Sequence, residues 1–250
     1  MLTLPQYVGH AFVLTNAFRF GNAGVDFFFT LSGFIIFYVH QKDINRPERL
    51  ANFVRRRVSR IYPMYWFVTA FLIVLLIAKS DWSELQPLHV IGSVLLLPTS
   101  TDPILGVGWT LVHEVLFYTV FAIAIFSRSA GIFLGLIWLA LITLGSVDTH
   151  APDILAFISS PYHYEFAFGI LAAAAARRFD WRFGYVLAVV GLIGFALSAI
   201  AVNEMLMPAI GTMARFPFGV SSALILAGIA ISERRGQLTV PRWATYLGAA

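Results

Sequence analysis

Seven long apolar segments, separated by short polar loops, are the feature that most restricts the fold of this 250-residue chain. A segment in lipid must satisfy its own backbone hydrogen bonds, so we expect these segments to be α-helices that cross a bilayer. The stretch 88–97 is apolar but shorter than the roughly 20 residues that a crossing needs, so we expect it to be re-entrant or interfacial. The predicted spans are 25–39, 63–78, 109–126, 131–147, 162–176, 184–202 and 216–231. The sequence therefore predicts an all-α, polytopic transmembrane helix bundle.

The composition supports a single membrane domain over residues 1–250. Hydrophobic residues make up 59% of the chain and charged residues 12%, which excludes an ordinary soluble domain. The absence of cysteine excludes disulfides and thiolate metal sites. No zinc-ligand spacing and no phosphate-binding glycine loop is present in the sequence. We therefore predict no metal site and no bound cofactor.

The basic residues are distributed unevenly between the loops. Of the 17 Lys and Arg residues, only Arg19, Lys79 and Arg215 fall on one side when the predicted spans alternate. The positive-inside rule places the other, arginine-rich side in the cytoplasm. This placement accounts for the net charge of +4 without a nucleic-acid partner. The sequence thus predicts a multi-pass integral membrane protein surrounded by membrane lipids.

Asp26 opens the first predicted span and is the first candidate functional residue. On a helix, Asp26, Thr30 and Gly33 would share one face. A carboxylate in a membrane segment is costly unless it faces protein or water, which favours a functional role. The alternative is an acid at the membrane–water interface that caps the N-terminus of the helix.

Two arginines before the second span form the next candidate pair. Residues 49–61 carry an apolar stripe, which predicts an interfacial amphipathic helix that Pro63 separates from the following span. Arg57 falls inside this stripe and Arg60 at its edge, so both are expected to need an anionic partner, either a carboxylate or a phosphate. Anchoring to lipid headgroups is the alternative for both.

The third predicted span carries a polar stripe on an otherwise apolar helix. Thr110, Glu114 and Tyr118 are spaced i, i+4 and i+8, and Glu114 should face the bundle interior. His113 is either a base or a polar neighbour, and helix packing is the alternative role for Tyr118. Glu165, just inside the fifth span, is a candidate for a structural ion pair or for chemistry. Four further histidines in loops or at span ends are expected to be solvated and receive no role: His10, His40, His89 and His150.

Three motifs follow one another along the chain. They are Gly24-Val-Asp-Phe-Phe-Phe-Thr-Leu-Ser-Gly-Phe, then Phe53-x3-Arg57-x2-Arg60-Ile-Tyr-Pro-x-Tyr65, then Trp109-Thr-Leu-x2-Glu114-x2-Phe-Tyr118. In this order they resemble the acyltransferase-3 family of integral membrane acyltransferases, and Glu165-Phe-x-Phe-Gly169 resembles a later element of that family. Members O-acylate sugars of lipopolysaccharides, exopolysaccharides, Nod factors, peptidoglycan or macrolides.

Two features depart from the family pattern. Family members carry a basic residue, followed about ten positions later by a histidine that is the proposed catalytic base, in a helix before the Gly-Val-Asp motif. Here no basic residue precedes Arg19, and His10 lies in a stretch that resembles the loop after that helix. Residues 246–250 resemble the entrance to a further span. We therefore expect a chain truncated at both ends and do not assign His10 as the base.

The resemblance implies transfer of an acyl group, typically acetyl, to a hydroxyl of a carbohydrate or glycolipid acceptor in a bacterial plasma membrane. Acetyl-CoA or another acyl-CoA is the implied donor and co-substrate. The resemblance implies that Arg57 and Arg60 bind the donor, and that Glu114, Asp26 and Tyr118 act in catalysis. One alternative is a proton-coupled transporter of a sugar or lipid that uses the interior acids. Another is a fragment that catalyses nothing.

Overall fold

A computed structural model describes residues 23–99, 101–145, 153–208 and 212–238. These residues form nine α-helices and three short 3-10 helices, with no strand among them, which confirms the all-α prediction. The α-helices are α1 (Ala23–His40), α2 (Leu50–Ala78), α3 (Pro87–Leu95), α4 (Trp109–Phe126), α5 (Arg128–Gly145), α6 (Asp153–Ile158), α7 (His163–Arg178), α8 (Gly184–Asn203) and α9 (Thr212–Arg234). The 3-10 helices are Gln41–Asp43, Pro47–Arg49 and Gly106–Gly108.

Several of these helices are suited to a membrane. Five segments within the described residues are long and apolar enough to cross one, namely Ala23–Asp43, Pro47–Ala78, Gly106–Phe126, Gly184–Asn203 and Arg215–Arg234. In α5 the apolar part spans only Arg128–Leu144. With 16 residues, α7 is about 24 Å long, against a hydrocarbon core of about 30 Å. The helices thus support an integral membrane bundle, while the count of seven crossings stays a prediction.

The arginine-rich ends of the helices meet on one side of the bundle. The backbone N–H of Asn45 donates to the carbonyl of Ala124 at 3.1 Å, which joins the segment after α1 to the last turn of α4. Arg177 donates to the Tyr38 carbonyl at 2.5 Å, and Arg234 donates to a carbonyl in the last turn of α7. These donors satisfy carbonyls that a helix C-terminus leaves unpaired. The C-terminal ends of α1, α4, α7 and α9 thus lie on the same side of the bundle. The predicted arrangement, in which α3 does not cross the membrane, places them there too.

Helices α1 and α7 cross at two glycines. A Cβ on Gly33 would collide with the backbone of Phe166, and one on Gly169 would collide with the Thr30 carbonyl oxygen. Small residues are common where membrane helices approach this closely, because lipid provides no hydrophobic drive for association. Thr30 and Gly33 therefore lie on one buried face, as predicted, and that face contacts α7.

Pro63 does not separate two helices as the sequence predicted. The structure has one continuous helix, α2, with Pro63 inside it. Proline removes the hydrogen bond to the carbonyl of Ser59, but Ser59 and Pro63 are both exposed, so the lost bond lies on the outer side of the helix. Of the predicted apolar stripe, Phe53 and Ile61 are buried, whereas its two valines are exposed.

Aromatic side chains of α2 terminate the short helix α3. With nine residues, α3 is about 14 Å long, too short to cross a membrane, as predicted. Its last carbonyls accept hydrogen bonds from three side chains of α2, from Tyr65 Oη to Ser93 (2.7 Å), from Trp66 Nε1 to Val94 (2.9 Å) and from Tyr62 Oη to Leu95 (3.1 Å). The aromatic residues around Pro63 thus supply the donors that this helix end requires.

We expect Gly169→Ala to destabilise the bundle. The added methyl group would overlap backbone atoms of α1, and overpacking of this kind costs roughly 1–3 kcal/mol. The measurement is the melting temperature of the detergent-solubilised protein. Gly135→Ala is the matched control, because a Cβ there meets nothing within 4 Å and alanine favours a helix interior. Equal melting temperatures for the two variants would contradict the close crossing.

Candidate functional site

Glu114 lies in the interior where α1, α2 and α4 meet. Its side chain is only 6% exposed, and Oε1 accepts hydrogen bonds from Tyr118 Oη at 2.5 Å and from Ser32 Oγ at 3.1 Å. Both donors converge on Oε1, so Oε2 receives neither. Thr110 does not join this group, because its hydroxyl donates to the Val107 carbonyl at 3.0 Å. The predicted polar stripe is therefore realised by the Glu114–Tyr118 pair.

A cavity of about 370 Å³ opens beside Glu114. Arg57 and Arg60 of α2 line the same cavity as Glu114 and Tyr118 of α4 and Ser32 of α1. The charges of both arginines act on the Glu114 carboxyl group. Pockets that hold small molecules commonly measure about 300–1,000 Å³ and carry a few polar groups on apolar walls. The three sequence motifs therefore meet in one cavity that combines a carboxylate with two guanidiniums.

Arg57 turns inward, as its position in the apolar stripe predicted. Its Nη2 donates to His40 Nε2 at 3.1 Å, and His40 Nδ1 lies 2.8 Å from Asp43 Oδ2. The guanidinium lies over the rings of Phe53 and Tyr118, at 5.7 and 5.5 Å from the ring centroids. Within the described residues Arg57 thus donates to an imidazole rather than to a carboxylate, and it also lies within reach of the Tyr118 hydroxyl. Binding of a phosphate by Arg57 stays a prediction.

The prediction that the histidines in loops or at span ends are solvated is wrong for His40, and it also fails for His89, which is mostly covered and has both ring nitrogens beside backbone carbonyl oxygens. His40 is the last residue of α1 and only 4% exposed, because the following 3-10 helix and α2 cover it. Its ring packs edge-on against Phe53 at 5.1 Å. The spacing of His40 and Asp43, i and i+3 at the end of a span, is the one sequence signal that could have indicated this contact.

Asp26 belongs to a second buried polar group near the opposite ends of the helices. Its Oδ1 accepts a hydrogen bond from Arg215 of α9, and both side chains are buried. The Arg215 guanidinium also lies over the Tyr162 ring, 4.4 Å from its centroid. An interfacial acid that caps the helix does not fit this burial. The geometry gives Asp26 a contact that joins α1 to α9, and a catalytic role for Asp26 stays a prediction.

Glu165 lies beside this ion pair, within hydrogen-bonding reach of the Asp26 carboxyl group. Its side chain is fully buried, and the charges of Asp26 and Arg215 act on it. Arg215 forms an ion pair with Asp26. Sequence reasoning counted Arg215 as a loop residue, since nothing in the local pattern around it indicated a buried partner. Neither the structural nor the chemical hypothesis for Glu165 is decided by this arrangement.

His113 faces away from the cavity and pairs with another histidine. Its Nδ1 lies 2.7 Å from His163 Nε2, and His163 Nδ1 lies 3.1 Å from the Ile158 carbonyl oxygen. A carbonyl only accepts, so His163 donates through Nδ1, and its Nε2 accepts from His113. Both rings are buried, and His113 stacks on Phe157 at 4.4 Å. The structure thus separates His113 from Glu114, and a role for His113 as a base stays a prediction.

Two further expectations are limited by what the structure describes. His10, His150 and residues 246–250 lie outside the described residues. Within the described ranges, no group of three or more histidine or acidic side chains is placed to hold a metal ion.

Comparison with known proteins identifies the family. The sequence model of the family described as Acyltransferase domain matches residues 2–250. The chain belongs to the acyltransferase-3 family. A curated relative, the exopolysaccharide production protein ExoZ of Rhizobium meliloti (strain 1021), is 31% identical over 168 residues, which make up 62% of this chain and 50% of ExoZ. The chain thus spans about half the length of this relative. No solved structure matches the chain.

Family membership confirms the resemblance drawn from the three motifs, and the structure shows how they come together. Ser32 from the first motif, Arg57 and Arg60 from the second, and Glu114 and Tyr118 from the third line one cavity. In this member of the acyltransferase-3 family, the first motif contributes to two polar groups. Asp26 pairs with Arg215 of α9, while Ser32 donates to Glu114.

We expect Arg215→Met to destabilise the protein far more than Arg235→Met. Removing one partner of a buried ion pair leaves an uncompensated charge, at a cost of about 3–5 kcal/mol. Arg235 pairs with Asp180 at 2.8 Å, but that pair is exposed, and surface pairs contribute about 0–1 kcal/mol. Melting temperatures in one detergent compare the two variants. Equal losses of melting temperature would show that the pair of Asp26 and Arg215 does not hold the helices together.

Proposed function

We propose that this chain forms the acyl-transfer site of an enzyme of the bacterial plasma membrane. The reaction moves an acyl group, acetyl in the simplest case, from acyl-CoA to a hydroxyl of a carbohydrate or glycolipid. The observation that carries the proposal is the cavity in which Glu114, Arg57 and Arg60 lie together. ExoZ, named for exopolysaccharide production, supports a polysaccharide or its lipid-linked precursor as the acceptor.

The two arginines suit an anionic donor. Guanidiniums form charge-assisted, bidentate hydrogen bonds with phosphate oxygens, and coenzyme A carries a pyrophosphate and a 3′-phosphate. Arg60 is exposed and Arg57 is half-buried, so together they extend from the arginine-rich surface into the cavity. An acyl-CoA that approaches from that side would bind its phosphates there and direct its thioester toward Glu114.

Glu114 suits the acceptor hydroxyl. Tyr118 and Ser32 hold Oε1, so Oε2 can accept a hydrogen bond from the hydroxyl and orient its oxygen toward the thioester carbon. As the new C–O bond forms and the C–S bond breaks, the hydroxyl proton passes to Glu114 Oε2, which then returns it to the leaving coenzyme A thiolate. A positioned acid–base group of this kind contributes about 10²–10⁴-fold to the rate.

We expect Glu114→Gln to lower acyl transfer by about 100-fold or more, with little change in melting temperature or membrane insertion. Glutamine keeps the shape but loses the carboxylate. The assay supplies radiolabelled acetyl-CoA and polysaccharide precursors to membranes that contain the protein, and counts covalently bound label. Glu84→Gln is the control, since Glu84 lies in an exposed loop.

Each outcome of this assay separates the alternatives. Wild-type rate in Glu114→Gln would remove Glu114 from the mechanism. Label that accumulates inside vesicles without covalent attachment would favour transport. A wild-type chain that transfers no label to any acceptor would contradict the proposal for this chain.

We expect Arg57→Gln to raise the KM for acetyl-CoA roughly tenfold or more, because it removes charge-assisted hydrogen bonds to phosphate. Acetyl-pantetheine, which lacks the nucleotide phosphates, should show the same KM with wild type and variant. Arg55→Gln serves as the control because Arg55 is exposed on the same helix. Equal increases in KM for both donors would show that Arg57 does not bind these phosphates.

A further inference from the structure

A row of three polar side chains links the end of α1 to the donor side of the cavity. Asp43 Oδ2 lies 2.8 Å from His40 Nδ1, and His40 Nε2 lies 3.1 Å from Arg57 Nη2. His40 is buried, and Asp43 is about one quarter exposed. Arg57 in turn lines the cavity beside Tyr118. The row therefore runs from the arginine-rich surface to the wall of the proposed acyl-donor site.

The direction of each hydrogen bond in this row is fixed by chemistry. Arginine has only donors, so His40 Nε2 must be the acceptor. A neutral imidazole that accepts at Nε2 carries its hydrogen on Nδ1, and Nδ1 then donates to the Asp43 carboxylate. Protonation of His40 would place an N–H against the guanidinium and break the contact. Asp43 thus selects the tautomer of His40 that can hold Arg57.

This contact and the nearby Tyr118 hydroxyl do not use every donor of Arg57. His40 engages Nη2, while the rings of Phe53 and Tyr118 flank the guanidinium. The Nε–H of Arg57 is buried and has no hydrogen-bond partner in the described part of the chain. A long, flexible side chain held at one nitrogen loses less freedom when a ligand binds, which favours affinity.

We propose that His40 and Asp43 are positioning residues that orient Arg57 for the phosphates of the acyl donor. The proposal rests on the proposed function and adds two residues to it. Arg57 would touch the donor, and His40 and Asp43 would act only through Arg57. A purely structural contact between α1 and α2 would instead affect stability and leave the KM for the donor unchanged.

The decisive variants are His40→Leu and His40→Gln. Leucine removes both hydrogen bonds, so the KM for acetyl-CoA should rise roughly tenfold or more, with a smaller effect on kcat. Glutamine can accept from Arg57 through its amide oxygen and donate to Asp43 through its amide nitrogen, so it should restore most of the affinity. Asp43→Asn keeps an acceptor but removes the charge, and should give a smaller rise in KM.

A double variant tests whether His40 acts through Arg57. In the Arg57→Gln background, His40→Leu should raise the KM for acetyl-CoA no further. The proposal would be overturned if the increases in KM of the two single variants multiplied in the double variant. An unchanged KM in His40→Leu would overturn it as well. If His40→Leu does not fold, Asp43→Leu decides the question, because Asp43 is partly exposed and its loss should raise the KM in the same way.

A binding measurement separates this inference from the proposed function. Isothermal titration calorimetry of the purified wild type should show that coenzyme A binds. His40→Leu should raise the Kd for coenzyme A by about the same factor as it raises the KM for acetyl-CoA. If wild type binds coenzyme A but transfers no acyl group, the proposed function fails while the positioning of Arg57 is still measured. If wild type neither binds coenzyme A nor transfers an acyl group, both are overturned.

Discussion

Helix α1 is held by polar contacts at three depths, and the rest of the structure depends on them. From one end to the other they are Asp26 with Arg215 of α9, Ser32 with Glu114 of α4, and His40 with Arg57 of α2. Lipid tails are as apolar as the helix surfaces, so apolar burial alone does not select partners in a membrane. Directional contacts at different levels of α1 specify which helix lies on each side of it.

The neighbouring residues Ser32 and Gly33 show how one short motif serves two interfaces. Successive residues on a helix are separated by 100°, so these two face different neighbours. Gly33 lets the backbone of α7 approach α1, while Ser32 donates to Glu114 of α4. A larger residue at Gly33 would push α7 away. The small residues of the motif thus combine close packing with placement of the carboxylate.

Local periodicity predicted the orientation of several site residues, but not their partners. The helical wheel predicted that Arg57 faces inward, and the i, i+4 spacing predicted that Glu114 and Tyr118 share one face of the helix. The structure shows both. The contact of His40 with Arg57 and that of Arg215 with Asp26 were missed, because the partners are 17 and 189 residues apart in the sequence. Pro63 was misread because its effect on a helix depends on which side of the helix is exposed. That exposure is a tertiary property.

The different surroundings of two arginines explain why one joins helices while the other can bind a ligand. Arg215 is buried against the carboxylate of Asp26, so its charge is compensated within the protein. Arg57 is hydrogen-bonded to the imidazole of His40, which orients the guanidinium without compensating its positive charge. With Arg60 beside it, the cavity holds two guanidiniums for the one carboxylate of Glu114. That excess positive charge favours an anion, which the phosphates of the proposed acyl-CoA donor would supply.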